Sequence, residues 1–162
     1  MNEVKPIKRS VELQPLSREH HDGLLFIWKL RQGLNNNTPL ETLKSFTAWY
    51  WKNHIKQHFY HEEKLLLPFF NPVDPLALRM KEEHDYIREL ILAIGREPVR
   101  HDFVQLCNLI ETHIRFEERE FFSYLELNLS HQELKDVFHQ LEEKPISSES
   151  EWKEEFWVKK AS

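Results

Sequence analysis

Apolar residues recur with the spacing of α-helices along most of the chain, and no stretch alternates as a strand does. The first helix is predicted to start at a Ser17 cap and to end at the sequence GLNNN, since glycine and asparagine favour helix ends and turns. Its apolar stripe consists of Leu16, Leu24, Ile27 and Leu34.

A second helix is predicted to begin with a capping box. Thr38 is the expected N-cap, Pro39 the first helical residue and Glu41 the capping-box glutamate. The helix should run to about Leu67, where Pro68 bends or ends it.

Three more helices are predicted, and the two longer ones each open with a proline. One covers residues 75–95 behind an Asp74 cap, and the other covers 98–128. Ser130, with a glutamate three residues later, caps a short fifth helix that ends near residue 143. Four long helices with short connections predict an all-α, up-down-up-down antiparallel four-helix bundle with a short extra C-terminal helix and tail.

One domain is expected over residues 1–143, with its core at 16–128, a proline-containing N-terminal arm at 1–15, and a linker and aromatic tail at 144–162. Large aromatic side chains are rarely left in water, so we expect the tail to pack on the bundle. The alternative is a tail that binds a protein partner or forms a homodimer. The tail aromatics are Trp152, Phe156 and Trp157.

Composition limits the function classes. The chain of 162 residues has 22 basic and 27 acidic residues, a net charge of −5, and no basic patch, which argues against nucleic-acid binding. No apolar run is long enough to span a membrane. Cys107, the only cysteine, fits a reducing compartment, so we expect a cytoplasmic protein.

A repeated motif places ionisable groups on the apolar stripes. The sequences HFYHEEKLLLPFF and HIRFEEREFFSYL pair His58 with Glu62 and His113 with Glu117, at an offset of 55 residues. Residues four apart share a helix face, so each pair points one way. Apolar residues on the same faces are Trp51, Ile55 and Leu65 in the second helix, and Leu106, Ile110 and Phe121 in the fourth.

A buried carboxylate costs several kcal/mol unless it is paired or bound to a metal. Two divalent cations bridged by Glu62 and Glu117, with neutral imidazoles around them, would resolve this cost. The first and third helices each contribute one more core-side histidine, at an offset of 64 residues. In the first helix the neighbours His20 and His21 compete, and His20 is the prediction because its face is the more apolar; its counterpart is His84.

The other ionisable residues are expected to lie outside the centre. Glu63 and Glu118 should be rotated away and solvated, and Cys107 should be an inert buried thiol. His61, one turn from His58, is expected to be exposed, with a position behind the ligands as the alternative. The expected surface histidines are His54, His101, His131 and His139.

The chain resembles the hemerythrin-like, or HHE cation-binding, family, with EHHDGL, HFYHEEKLLLP, EEHDYI and HIRFEEREFF similar to its four helix signatures. The resemblance implies a non-haem di-iron centre, for which Mn or Zn could substitute. It makes Glu62 and Glu117 bridging ligands. The implied terminal ligands are His20, His58, His84 and His113.

Two positions depart from the oxygen-carrying members. Arg88 stands where their third helix has a second histidine, and Glu117 lies four residues after its histidine, where they have an aspartate five residues on. Glu118 occupies that fifth place, which leaves an exchange of ligand open. The set of four histidines and two glutamates is more similar to bacterial di-iron proteins linked to repair of iron centres.

The leading hypothesis is therefore a di-iron protein that reacts with O₂, NO or peroxide in sensing, iron handling or stress defence; whether it turns over a substrate is left open. The alternative is a bundle with a structural metal or none, which binds a partner through its aromatic tail.

Overall fold

The secondary structure of the described residues is entirely helical. The computed structural model describes residues 8–146, 148 and 150–159. Residues 1–7 of the expected N-terminal arm lie outside this range. None of the described helices combines the length and the hydropathy that a bilayer crossing requires.

The first helix starts earlier than predicted. A 3-10 turn at Val11–Leu13 leads directly into α1, Gln14–Asn35. Ser17 is therefore not a cap; it lies inside α1, and its hydroxyl donates to a carboxylate oxygen of Glu118 at 3.0 Å. Leu24, expected on the inner stripe, is 38% exposed, and the buried Gly23 lies inward instead.

The second helical segment is long and interrupted. It comprises α2 at Leu40–Tyr50, a π-turn at Trp51–Ile55, α3 at Lys56–His61, a second π-turn at Glu62–Leu66 and a final 3-10 turn at Leu67–Phe69. The predicted capping box is wrong, because α2 starts at Leu40 and no side chain caps it. Pro68 lies in the last turn, as the predicted helix end requires.

The third and fourth segments follow the prediction more closely. Helix α4 covers Pro75–Arg96, and an oxygen of Asp74 accepts from the Leu76 N–H at 2.8 Å. The fourth segment comprises α5 at Arg100–Phe116, a π-turn at Glu117–Phe121 and α6 at Phe122–Asn128, so Pro98 precedes the helix and does not open it. Helix α7, His131–Glu143, has the predicted Ser130 capping box.

Helix α5 packs against both α1 and α4, an arrangement consistent with a helical bundle. The core forms two clusters separated by the ionisable residues. One contains Phe26, Phe46 and Phe103; the other contains Phe121 and Phe122. Along each of the four long segments, the candidate ligands lie between residues of one cluster and residues of the other.

The aromatic tail packs on the bundle. Phe156 is 8% exposed and belongs to the core, where its ring meets that of Phe46 edge to face at 4.9 Å. A Cβ on Gly33 would lie 2.7 Å from the Phe156 ring, so glycine at this position admits the tail. Trp152 and Trp157 are half-buried beside it. The predicted docking is confirmed for these residues.

Candidate metal centre

Six buried side chains converge between the two core clusters. They form two groups of possible ligands, and within each group the ligand atoms lie within 4.8 Å of one another. Glu62 and Glu117 belong to both groups and are fully buried. One group adds His20 and His58; the other adds His84 and His113.

The two glutamates occupy the centre of this cluster. One Glu62 oxygen lies 3.1 Å from Nε2 of His58 and 3.2 Å from Nε2 of His84, and the other lies 3.4 Å from Nε2 of His20. One Glu117 oxygen lies 2.6 Å from Nε2 of His113 and 3.2 Å from Nε2 of His20. All four Nε2 atoms thus face the shared carboxylates.

The other nitrogen of each imidazole bonds to a second carboxylate from a neighbouring segment. We call these four hydrogen bonds the carboxylate ring, and each joins one helical segment to the next. They connect Nδ1 of His58 to Glu19 at 2.7 Å, of His84 to Glu63 at 2.9 Å, of His113 to Glu83 at 2.8 Å, and of His20 to Glu118 at 2.8 Å.

The carboxylate ring corrects the predicted solvation of Glu63 and Glu118. Their side chains are only 19% and 26% exposed, and both accept from candidate ligands. A residue next to a core residue is turned by about 100° around the helix, which directs it to the adjacent helix and not into solvent. An Nδ1–H donated to a carboxylate leaves the Nε2 lone pair free to face the centre.

Basic side chains hold three of the four ring carboxylates. Arg88 bonds Glu63, and Arg79 donates to Glu83 at 2.9 Å. Arg88 thus holds the carboxylate that accepts from the candidate ligand His84. Glu118 lies 3.3 Å from Arg9. Among the described residues, Glu19 pairs with no lysine or arginine.

A π-turn begins at each central glutamate. The five-residue turns Glu62–Leu66 and Glu117–Phe121 each follow a regular helix and shift the residues after the glutamate around the axis. Such turns inside helices are frequent at functional sites. The shift explains why Leu66 is fully buried while Leu65, expected on the inner face, is half-buried.

The buried carboxylates favour protonated imidazoles at His58 and His84 when no cation is present. Burial lowers the pKa of His58, but the charge of Glu62 and the hydrogen bond to Glu19 raise it to about 9. His84 responds in the same way, and its pKa rises to about 10. Burial and the charge of Glu117 raise the pKa of Glu62, but the opposing histidines lower it to about 2.

The residues fit a pair of divalent cations. Among the described residues, Nε2 of His58, His84 and His113, both oxygens of Glu62 and one of Glu117 are buried without a hydrogen-bond partner. Buried polar atoms are normally satisfied, and these are the donor types that Fe, Mn and Zn bind. Each group offers two imidazoles and shares two carboxylates, the composition expected of a bridged two-metal site.

Comparison with known families agrees with this geometry. The family model of the hemerythrin HHE cation-binding domain matches residues 11–125. The chain belongs to the hemerythrin HHE family. No curated protein and no solved structure matched the chain.

The neighbouring histidines of this hemerythrin HHE chain differ in burial. His20 is 4% exposed and stacks on Phe122 at 5.2 Å, with 8° between the rings, whereas His21 is exposed. His101, His131 and His139 are exposed, as predicted. Burial raises the pKa of Cys107 to about 12, which agrees with an inert thiol.

Two histidines differ from their predicted surface positions. His61 is 4% exposed, lies outside both ligand groups, and has no hydrogen-bond partner among the described residues. Burial lowers its pKa, so the ring is uncharged at neutral pH. His54 is half-buried and stacks on Tyr50 at 4.7 Å.

A cavity of about 480 Å³ adjoins the centre in this HHE domain. His20, His58 and His113 form part of its wall, so a molecule inside it would contact candidate ligands. Tyr50 also lines it, and burial together with nearby carboxylates raises the pKa of that phenol above its ordinary value, so it remains protonated at neutral pH.

Sequence reasoning missed the four ring carboxylates as a set. Each is the immediate chain neighbour of a candidate ligand: Glu19 and Glu83 precede histidines, and Glu63 and Glu118 follow the central glutamates. That adjacency was the signal available in the sequence. The sequence contains no comparable signal for the cavity, because the cavity wall combines residues from distant parts of the chain.

Proposed function

We propose that this chain is a non-haem di-iron protein that reacts with O₂, NO or peroxide in sensing, iron handling or stress defence. The observation that carries the proposal is the pair of ligand groups that share Glu62 and Glu117. Both irons would be held by these shared glutamates, one together with His20 and His58 and the other together with His84 and His113.

We also propose that the four long helical segments form an up-down-up-down four-helix bundle around this centre. The carboxylate ring supports the arrangement, because its four bonds join the segments in chain order and the last returns to the first. Helix α7 and the tail would then be additions at the bundle surface. The buried thiol of Cys107 supports our proposal of a reducing compartment, the cytoplasm.

When bound, iron would supply electrons and a Lewis acid to the small ligand. The protein's own residues determine access and orientation. The ring carboxylates hold each imidazole with Nε2 directed inward and raise its basicity as a ligand. The cavity gives a small molecule a path to the centre, and the Tyr50 phenol can donate a hydrogen bond inside it.

The direct test is metal content. Protein expressed with ample iron and purified anaerobically should contain about two transition-metal ions per chain, because six inward ligands are too many for one. His20→Ala should lower the occupancy sharply, and His21→Ala, one residue away but exposed, is the matched control. A wild-type protein without bound transition metal would overturn the proposal.

A second test concerns reversible oxygen carriage. With Arg88 in place of a fifth histidine, fewer protein ligands exclude water from the irons than in the oxygen carriers. Ferrous protein exposed to air should therefore become oxidised and stay so when the gas is removed. Visible absorption over repeated air and vacuum cycles measures this; return of the colourless ferrous spectrum would indicate an oxygen carrier or store.

A further inference from the structure

The cavity is much larger than a diatomic ligand needs. Its volume is about 480 Å³, whereas one water occupies roughly 30 Å³ of liquid. Pockets that bind organic molecules typically measure about 300–1,000 Å³ and are lined mainly by apolar side chains with a few polar groups. The cavity has the size and composition of such a pocket.

Its inner wall is apolar and ends at the candidate centre. Three candidate histidine ligands interrupt that wall, as described above. An alkyl chain placed there would leave water and contact hydrocarbon and aromatic surface, and each buried CH₂ group should tighten binding by about fourfold. The inner apolar residues are Phe26, Ile55, Phe59, Ile87, Ile110 and Ile114.

Its rim carries an excess of negative charge. Asp22 and Glu142 lie on it, both exposed, together with a single guanidinium, that of Arg18. Within the part of the chain that the structure describes, neither of these two carboxylates pairs with lysine or arginine. Glu19 also lines the cavity, but it is half-buried and accepts from Nδ1 of His58 at 2.7 Å. A cationic group is therefore the complementary head for a ligand, and an anionic one is disfavoured.

We propose that this cavity binds a small organic molecule with an extended apolar body and a primary ammonium head. The head lies at the rim beside Asp22 and Glu142, and the body extends inward along the apolar wall toward the candidate centre. The role of the bound molecule rests on the proposed function, because only a bound metal would make the inner end of the cavity reactive toward it. Binding itself depends on the cavity alone.

The test compares three eight-carbon probes: octylamine, octanol and octanoate. Each is titrated calorimetrically into the full chain, as purified and after metal removal, with metal content measured on the same sample. Octylamine should bind more tightly than octanol, and about tenfold more tightly than octanoate. In iron-loaded protein, octylamine should also change the visible absorption, because the cavity ends at the centre.

Blocking the cavity should abolish this binding. A Cβ on Gly23 would already lie 3.2 Å from Cδ1 of Ile114, so Gly23→Leu should fill the inner space and weaken octylamine binding at least about tenfold. Gly95→Leu is the matched control, because a Cβ there meets no other atom within 4 Å.

A charge variant covers the case in which Gly23→Leu does not fold. Asp22→Asn should reduce the preference for amine over carboxylate, and the exposed Asp136→Asn, which is not in the cavity wall, should leave it unchanged. The inference would be overturned if octylamine did not bind, or if octanoate bound as tightly as octylamine, even in protein that contains two irons. If the wild-type chain contains no metal but binds octylamine, the amine site is supported and only the proposed iron chemistry is refuted.

Discussion

The two halves of the molecule contain the same ligand pattern but differ in access to the centre. In the first half, α1 supplies His20 and the next segment supplies His58 and Glu62. In the second, α4 supplies His84 and the next segment supplies His113 and Glu117. The cavity nevertheless opens beside α1 and involves α4 only through Ile87.

Two pairs of equivalent positions show where the halves diverge. At the offset of 64 residues, Gly23 corresponds to Ile87 and Pro15 to Arg79. Gly23, Ile87 and Pro15 line the cavity, whereas Arg79 donates to the ring carboxylate Glu83. The halves therefore agree at the candidate ligands and differ in side-chain size and charge at positions around them.

The strongest disruption should come from a ligand that both groups share. Glu62→Gln should leave well under one metal ion per chain, because both groups lose a charged bridge. His58→Ala and His113→Ala should each leave about one ion, in opposite halves. Elemental analysis with the folded state checked by circular dichroism measures this. Equal losses in all three variants would mean that the two groups do not act as halves of one centre.

The next effect is the pH dependence of stability. In metal-free protein, the raised pKa values of His58 and His84, about 9 and about 10, stabilise the fold fully below about pH 6.5. That contribution is lost as pH rises through those values. Glu62, with its pKa lowered to about 2, contributes above about pH 4.5 and loses its contribution as pH falls toward 2.

Bound cations would replace the imidazole protons, so metal-loaded protein should not share the loss at high pH. The melting temperature of loaded protein should exceed that of chelator-treated protein, and the difference should widen from about pH 6.5 to 9. Thermal unfolding followed by circular dichroism across this range is the measurement. A difference that stays constant or shrinks with rising pH would show that metals and protons do not compete here.

A smaller effect is expected from the carboxylate ring. Glu83→Gln and Glu19→Gln should each weaken metal binding by about 10–100-fold, because the imidazole loses a charged acceptor that orients it. The Glu19 variant should also weaken octylamine binding, since only Glu19 lines the cavity. Competition with a chelator of known affinity measures the first effect. Unchanged affinity in both variants would make the ring a surface feature without a role at the centre.

The smallest effect should come from the basic residues behind the ring. Arg79→Ala removes a partner of Glu83, but the arginine side chain is 45% exposed and such pairs contribute little, so affinity should fall less than about fivefold. Arg115→Ala, which removes an exposed pair with Glu111, is the control and should change nothing. A loss as large as that of Glu83→Gln would mean that Arg79 and not Glu83 fixes His113.

The sequence predicted the helices and the two His-Glu pairs because these depend on local spacing, and its resemblance to the family rested on four helix signatures. A four-residue interval places His58 beside Glu62 in any helix, and Asp74 before proline caps α4 without help from the rest of the fold. The π-turns were not predictable in this way. They add one residue to a turn, and the resulting rotation depends on packing against other segments.

The distribution of charge in the metal-free centre also could not be predicted from the sequence. The sequence suggests two glutamates that repel one another and need protons themselves. The imidazoles around them change this, because the pKa values of His58 and His84 rise to about 9 and about 10 while the pKa of Glu62 is lowered, so the protons favour these rings. That distribution depends on distances between helices, which no local pattern contains.

The carboxylate ring has a direction, and that direction fits only one order of the four segments around the centre. Each imidazole donates to a carboxylate of the preceding segment: His58 to Glu19, His84 to Glu63 and His113 to Glu83, with His20 returning to Glu118. A bundle with the same inward residues but the segments arranged in the opposite rotational order would turn Glu19 toward the fourth segment and break all four bonds. The hydrophobic faces distinguish the two arrangements only weakly. The four bonds of the ring therefore favour the observed order of segments over the opposite one.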